Sequence, residues 1–171
     1  MQPGIFESLV IFCFVVLLIW TAISDIRSFV IPNKLCLAIA GLYPVYVMTS
    51  TQTPDWPIAV AIAAGVFLIG TALFAFNLIG GGDVKLLSVT LLWAGPEFGV
   101  MFLVMTVLFG GALAIAMLAW TKFHQFTPIL WRLVGPPMVS SDQVSKQPMP
   151  YGVAISFGGL FVAGAHMGIW P

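Results

Sequence analysis

Charge is what this sequence has least of. Only 7% of its 171 residues are Asp, Glu, Lys or Arg, against about a quarter in an ordinary soluble domain. So few charges cannot cover a water-facing surface, which excludes a soluble globular enzyme. Six Lys and Arg balance six Asp and Glu. That balance excludes both a basic field for nucleic acid and an acidic tail for a cationic partner. Cysteine is scarce as well. Cys13 and Cys36 lie in apolar stretches without a CxxC pair, so neither a disulfide framework nor a zinc module is indicated. No internal repeat or linker breaks the chain, and residues 1–171 read as one membrane-embedded domain. What is abundant is apolar surface, with 60% hydrophobic residues and a mean hydropathy of +1.07. The chain reads as an integral membrane protein in contact with lipid.

A helix crosses the hydrocarbon core with about 20 apolar residues. Six stretches fit, over 5–23, 34–49, 57–78, 84–94, 98–120 and 151–170, so the expected fold is an all-α bundle of six transmembrane helices. The fourth is short and, at about 1.5 Å per residue, reaches only part of the way across. Its start should lie below the membrane surface or in a water-filled dip. The first stretch lacks the basic region and small-residue site of a cleaved signal. All the basic residues fall in or beside loops 24–34, 79–85 and 121–150: Arg27, Lys34, Lys85, Lys122, Arg132 and Lys146. Loops 50–56 and 95–97 carry only Asp55 and Glu97. Six spans put the basic loops on one side, the cytoplasm by the positive-inside rule, with both termini outside. Prolines in 121–150 argue against one long helix there, and 126–134 reads as a short interfacial element.

Acids near a membrane are costly and usually mark function. Asp25 closes the first helix in Ser24-Asp25-Ile26-Arg27, and Asp83 opens the fourth in Gly80-Gly81-Gly82-Asp83-Val84-Lys85. Both fall on the side assigned to the cytoplasm. Two carboxyls held close cannot both ionise, so the pair keeps one proton. The anion can deprotonate water while the acid polarises a peptide carbonyl, and no metal or other cofactor is required. Three glycines before Asp83 permit positive φ and the close approach of a substrate strand. Pro32 holds Ile31 extended, and Asn33 is a candidate N-cap for the next helix. The plainer reading is a pair of helix-end flanks, with Asp25 and Arg27 an interfacial ion pair. Glu7, Asp55 and Glu97 read as solvated flanks. Trp20, Trp56, Trp93, Trp120, Trp131 and Trp170 read as interfacial anchors, and neither His124 nor His166 as a metal ligand. Two other function classes use the same residues: a proton- or ion-coupled transporter with the acids as a relay, and a non-catalytic scaffold.

At these residues the sequence resembles the type IV prepilin peptidases, membrane aspartyl proteases of the GxGD class. Asp25-Ile26-Arg27, three residues, then Ile31-Pro32-Asn33 is similar to the first aspartate motif. The run from Gly80 to Leu86 is similar to the second, and Pro150-Tyr151-Gly152-Val153-Ala154-Ile155 to a third recurring segment. The resemblance implies that Asp25 and Asp83 are catalytic and that Arg27, Asn33, Gly80, Gly81, Gly82 and Lys85 bind substrate or support the site. It implies as substrate a type IV pilin precursor, cut after the glycine ending its basic leader at the cytoplasmic face of a bacterial inner membrane. The larger bifunctional members carry a cysteine-rich insertion near the first helices and also N-methylate the product. Without that insertion, the chain resembles the short peptidase-only branch of Flp/Tad-type pili, and no methyltransferase activity is expected.

Overall fold

The computed structural model describes residues 3–126 and 150–169, with side chains to residue 120 in the first stretch. Every regular element among them is helical. These elements are α1 (Ile5–Ser28), α2 (Asn33–Thr49), α3 (Trp56–Ala75), α4 (Gly81–Phe126) and α5 (Tyr151–His166). Three helical stretches are long and apolar enough to cross a membrane: Ile5–Ser28, Trp56–Ala75 and Gly81–Trp120. Tyr151–His166 is a shorter apolar helix. The expectations placed on Lys122, His124, Trp131, Arg132, Lys146, Trp170 and the 126–134 stretch lie outside the described residues and side chains.

The expected fourth and fifth stretches form one element bent at Gly95, whose backbone (φ 58°, ψ −164°) leaves the helical region just before Pro96. Proline lacks the N–H of a continuing helix and glycine alone adopts that φ without strain. The expected loop 95–97 is therefore a kink. α4 also begins at Gly81 rather than residue 84, and α1 runs on to Ser28. Asp25 thus lies inside α1, one turn from its end.

α5 packs against both α1 and α4, and α4 also meets α2 and α3. Gly152, Ala154, Ser156, Gly158, Gly159, Ala163 and Gly164 are buried in α5. Small residues let helices approach closely where lipid supplies no hydrophobic drive between them. A methyl on Gly159 would stand 2.7 Å from Leu18 and 2.8 Å from Thr90, and one on Gly158 would meet Thr106 and Phe102. Gly168, at φ 68°, ends the helix in a Schellman turn. Its N–H donates to the Ala165 carbonyl and that of Ile169 to Gly164, both at 2.9 Å. α3 packs against α4 through Ala59, Ala63 and Gly70, and leaves most of its apolar surface outward, as a lipid-facing helix does.

Two expectations are corrected at the end of the bundle away from Asp25. Trp93 is no interfacial anchor, being 1% exposed. It stacks on Phe14 at 4.1 Å, and its indole N–H donates to the Ile39 carbonyl at 3.0 Å. Its own carbonyl accepts from His166 Nε2 at 2.9 Å, which leaves Nδ1 to accept from the Tyr46 hydroxyl at 3.0 Å. Glu7 is no solvated flank. It is buried and accepts from the Gly4 amide, the Ser50 hydroxyl, and both the amide and hydroxyl of Thr51, at 3.0–3.3 Å. A buried carboxylate needs such partners, and here they tie α1 to the turn after α2. Trp20, Trp56 and Trp120 are exposed, as are Asp55 and Glu97. A cavity of about 520 Å³ opens at this end beside Glu7, Tyr46, Trp93 and His166.

Candidate active site

The chain turns from α1 into α2 within residues 29–32. Phe29 adopts the left-handed conformation at φ 51°, and its N–H donates to the Asp25 carbonyl. Ser24 Oγ donates to the Val30 carbonyl at 3.1 Å, folding the turn back on α1. Pro32 keeps the preceding residue extended, and Ile31 is delivered into the interior, where it is buried. Pro32, not Asn33, occupies the N-cap position. Asn33 is the first helical residue, and its Oδ1 accepts a 2.9 Å hydrogen bond from Lys85 Nζ. The amide is thus used between helices, where a distant ammonium competes for it, rather than on its own helix end.

Asp25 is 4% exposed. It faces the first turn of α5, whose Gly152 and Val153 amides point toward its carboxyl. The first N–H groups of a helix have no intrahelical partner and suit an anion. Oδ2 lies against the Gly152 Cα, where a methyl would stand 2.7 Å away, and it makes no hydrogen bond. Arg27 is exposed. Residues two apart on a helix point to different faces, so the ion pair weighed for Asp25 and Arg27 does not form.

Asp83 lies in the first turn of α4, half-buried, and its carboxyl folds back over Gly80. A methyl on Gly80 would stand 2.7 Å from Asp83 Oδ2. The triglycine does not supply positive φ, which among the described glycines occurs only at Gly95 and Gly168. Gly81 and Gly82 are helical, and their missing side chains make room instead. A methyl on Gly81 would meet the Phe74 ring at 3.2 Å, and one on Gly82 the Ile31 Cβ at 3.1 Å. The Asp25 and Asp83 carboxyls come within electrostatic reach of one another.

Six of the eight residues singled out in the sequence therefore lie at or beside one another: Asp25, Asp83, Gly80, Gly82, Asn33 and Lys85. Gly81 serves packing against α3, and Arg27 points away. Sequence reasoning missed Ser24, the Gly152 and Val153 amides, and the role of Ile31. Pro32, which fixes the backbone before it, was the signal for Ile31, and the family-like Pro150–Ile155 segment was the signal for Gly152 and Val153. No cluster of three or more His, Cys, Asp or Glu suited to a metal occurs among the described residues. The arrangement offers two carboxyls from separate helices, one with an unpartnered buried oxygen. That is what acid–base hydrolysis of an amide needs.

The chain is 28% identical over 149 residues to a prepilin leader peptidase/N-methyltransferase of Bacillus subtilis (strain 168). That alignment takes in 86% of this chain and 52% of the relative, so the chain spans about half the length of the curated relative it matches. No solved structure matches it. Residues 12–115, which hold both aspartates and the turn between α1 and α2, match the type IV leader peptidase family, and the chain belongs to that family.

Proposed function

We propose that the chain is a prepilin leader peptidase, an aspartyl endopeptidase whose catalytic pair is Asp25 and Asp83. The observation that carries this reading is the approach of two carboxyls from different helices, with Asp25 buried and its Oδ2 unpartnered. A buried polar atom left without a partner is costly unless it has a task. In the reaction, one carboxylate takes a proton from water as the oxygen attacks the scissile carbonyl carbon. The other, protonated, donates to the carbonyl oxygen. Collapse of the tetrahedral intermediate breaks the C–N bond and sends a proton to the departing amine.

The substrate is a type IV pilin precursor of the Flp kind, cut at the cytoplasmic face of a bacterial inner membrane. In this reading six spans cross the bilayer and both termini lie outside, with the bend at Gly95 separating two of them. Placement of Arg27, Lys34 and Lys85 around the acids supports that side under the positive-inside rule. We infer cleavage without N-methylation, in keeping with the short peptidase-only branch that the sequence resembles and with its lack of a CxxC pair.

The test is leader removal from a pilin precursor by the membrane-inserted protein, followed by mass spectrometry of the product's new terminus. Asp25→Asn and Asp83→Asn should each abolish cleavage, and the wild-type product should be unmethylated in the presence of a methyl donor. Cleavage retained in either variant rejects the pair. Ion flux into liposomes that depends on Asp83 would instead support the transporter.

A further inference from the structure

We infer that Gly152 is a positioning residue for this reaction. By carrying no side chain, it lets the Asp25 carboxyl and Ile31 seat against the start of α5, and so sets where that carboxyl stands relative to Asp83. The inference rests on the reading of Asp25 and Asp83 as the catalytic pair.

The contacts form a closed circuit. A methyl on Gly152 would lie 2.7 Å from Asp25 Oδ2, 2.9 Å from its Cγ and 2.9 Å from Ile31 Cδ1. Ile31 in turn packs on Gly82, where a methyl would lie 3.1 Å from its Cβ, and Gly82 precedes Asp83 in the same helical turn. Ile31 is thus wedged between the N-termini of α4 and α5, with one glycine notch on each. The turn that delivers it is held by Ser24 and Pro32. There is no slack in this circuit, because α5 is pressed between α1 and α4 along its length.

A methyl added at residue 152 must displace something, and the contacts of α5 with α1 and α4 favour movement of the facing side chains. What can move is the end of Ile31, at little consequence, and the short Asp25 side chain, whose displacement is a loss of geometry at the reacting group. Two other glycines of α5 give the comparison. A methyl on Gly158 or Gly159 meets Thr106, Phe102, Leu18 and Thr90, none of which belongs to the site. The same substitution on the same helix therefore separates positioning from packing.

The experiment uses the full chain in detergent with a pilin-precursor substrate, measuring kcat, KM and Tm for Gly152→Ala, Gly159→Ala, Gly152→Ala with Ile31→Val, and Asp25→Asn. Gly152→Ala should lower kcat by about a hundredfold, the cost expected of a misplacement near 1 Å, with KM within about twofold. Gly159→Ala should lower Tm while the folded protein keeps its kcat within about threefold. Adding Ile31→Val removes Cδ1 and should recover Tm in the Gly152→Ala background without recovering kcat. The inference is overturned if Gly152→Ala cleaves like wild type, if its loss tracks the unfolded fraction as for Gly159→Ala, or if Ile31→Val restores kcat. Asp25→Asn separates the two levels. Cleavage retained there removes the catalytic pair itself, whereas its abolition beside an active Gly152→Ala removes only the positioning role.

Discussion

Lys85 Nζ donates to Asn33 Oδ1 across 2.9 Å, joining the first turn of α4 to the first turn of α2. The bond spans the two segments that carry the acids, since α2 follows the turn after Asp25 and Lys85 lies two residues beyond Asp83. It runs along the exposed edge of the site while Ile31 fills its interior. Together the polar strut and the apolar wedge fix the same spacing from two sides.

Being exposed, that strut should contribute little to stability. Asn33→Ala and Lys85→Met should each cost at most about 1 kcal/mol, and the double variant no more than the larger single, because both remove one hydrogen bond. Chemical unfolding of the four proteins in micelles checks this. Additive losses would show that the two residues act separately.

Glu7 should matter far more to stability despite its distance from the acids. Glu7→Ala removes the acceptor of the amide and hydroxyl of exposed Thr51 and of the half-buried Ser50 hydroxyl. Water can reach these donors, but hydrogen bonds to a charged group contribute about 1.5–3 kcal/mol, so the variant should lose about 2 kcal/mol. Glu7→Gln, which retains one acceptor oxygen, should lose less. Thermal melts rank the two, and equal losses would contradict the network.

Tyr46 offers a cleaner single-bond measurement. Tyr46→Phe keeps the ring against Trp93 and His166 but leaves His166 Nδ1 without its donor. A loss of about 1 kcal/mol is expected. Trp93→Ala, by contrast, empties a fully buried site and should cost about 3–5 kcal/mol. A Tyr46→Phe protein as stable as wild type would argue against the hydrogen bond.

Gly70 and Val84 form a steric pair that can be tested by suppression. A methyl on Gly70 would stand 2.7 Å from Val84 Cγ1, and overpacking of that kind costs about 1–3 kcal/mol. Gly70→Ala should destabilise the α3–α4 contact, and Val84→Ala should be less harmful in its presence than alone. Additivity of the two substitutions, read from Tm, would show that α3 simply slides away.

The helices and the acids were legible in the sequence because both are local properties. Apolar length marks a helix in lipid, and a carboxylate among such residues stands out. Burial at the helix ends was not legible. Glu7 and Trp93 looked like edge residues by position, yet Ser50 and Thr51 from the turn after α2, and Ile39 and His166 from α2 and α5, come to satisfy them. Asn33 has the right chemistry for a cap, and nothing nearby in the sequence shows that Lys85 takes its oxygen. The triglycine suggested backbone freedom, but its function is volume, which depends on Phe74 and Ile31 and so on the tertiary fold. Gly95-Pro96 marked a break correctly, though as a bend and not a loop.

The glycine-rich character of α5 reverses the usual logic of mutagenesis. At Gly152, Gly158, Gly159 and Gly164, four of its inward positions, a conventional alanine scan amounts to an enlargement scan. Tolerance to substitution should consequently run as a stripe along the helix that rejects even one extra carbon, while the outward residue Phe157 accepts many replacements. A library of variants sorted for insertion and folding would reveal this helix by its intolerance of growth.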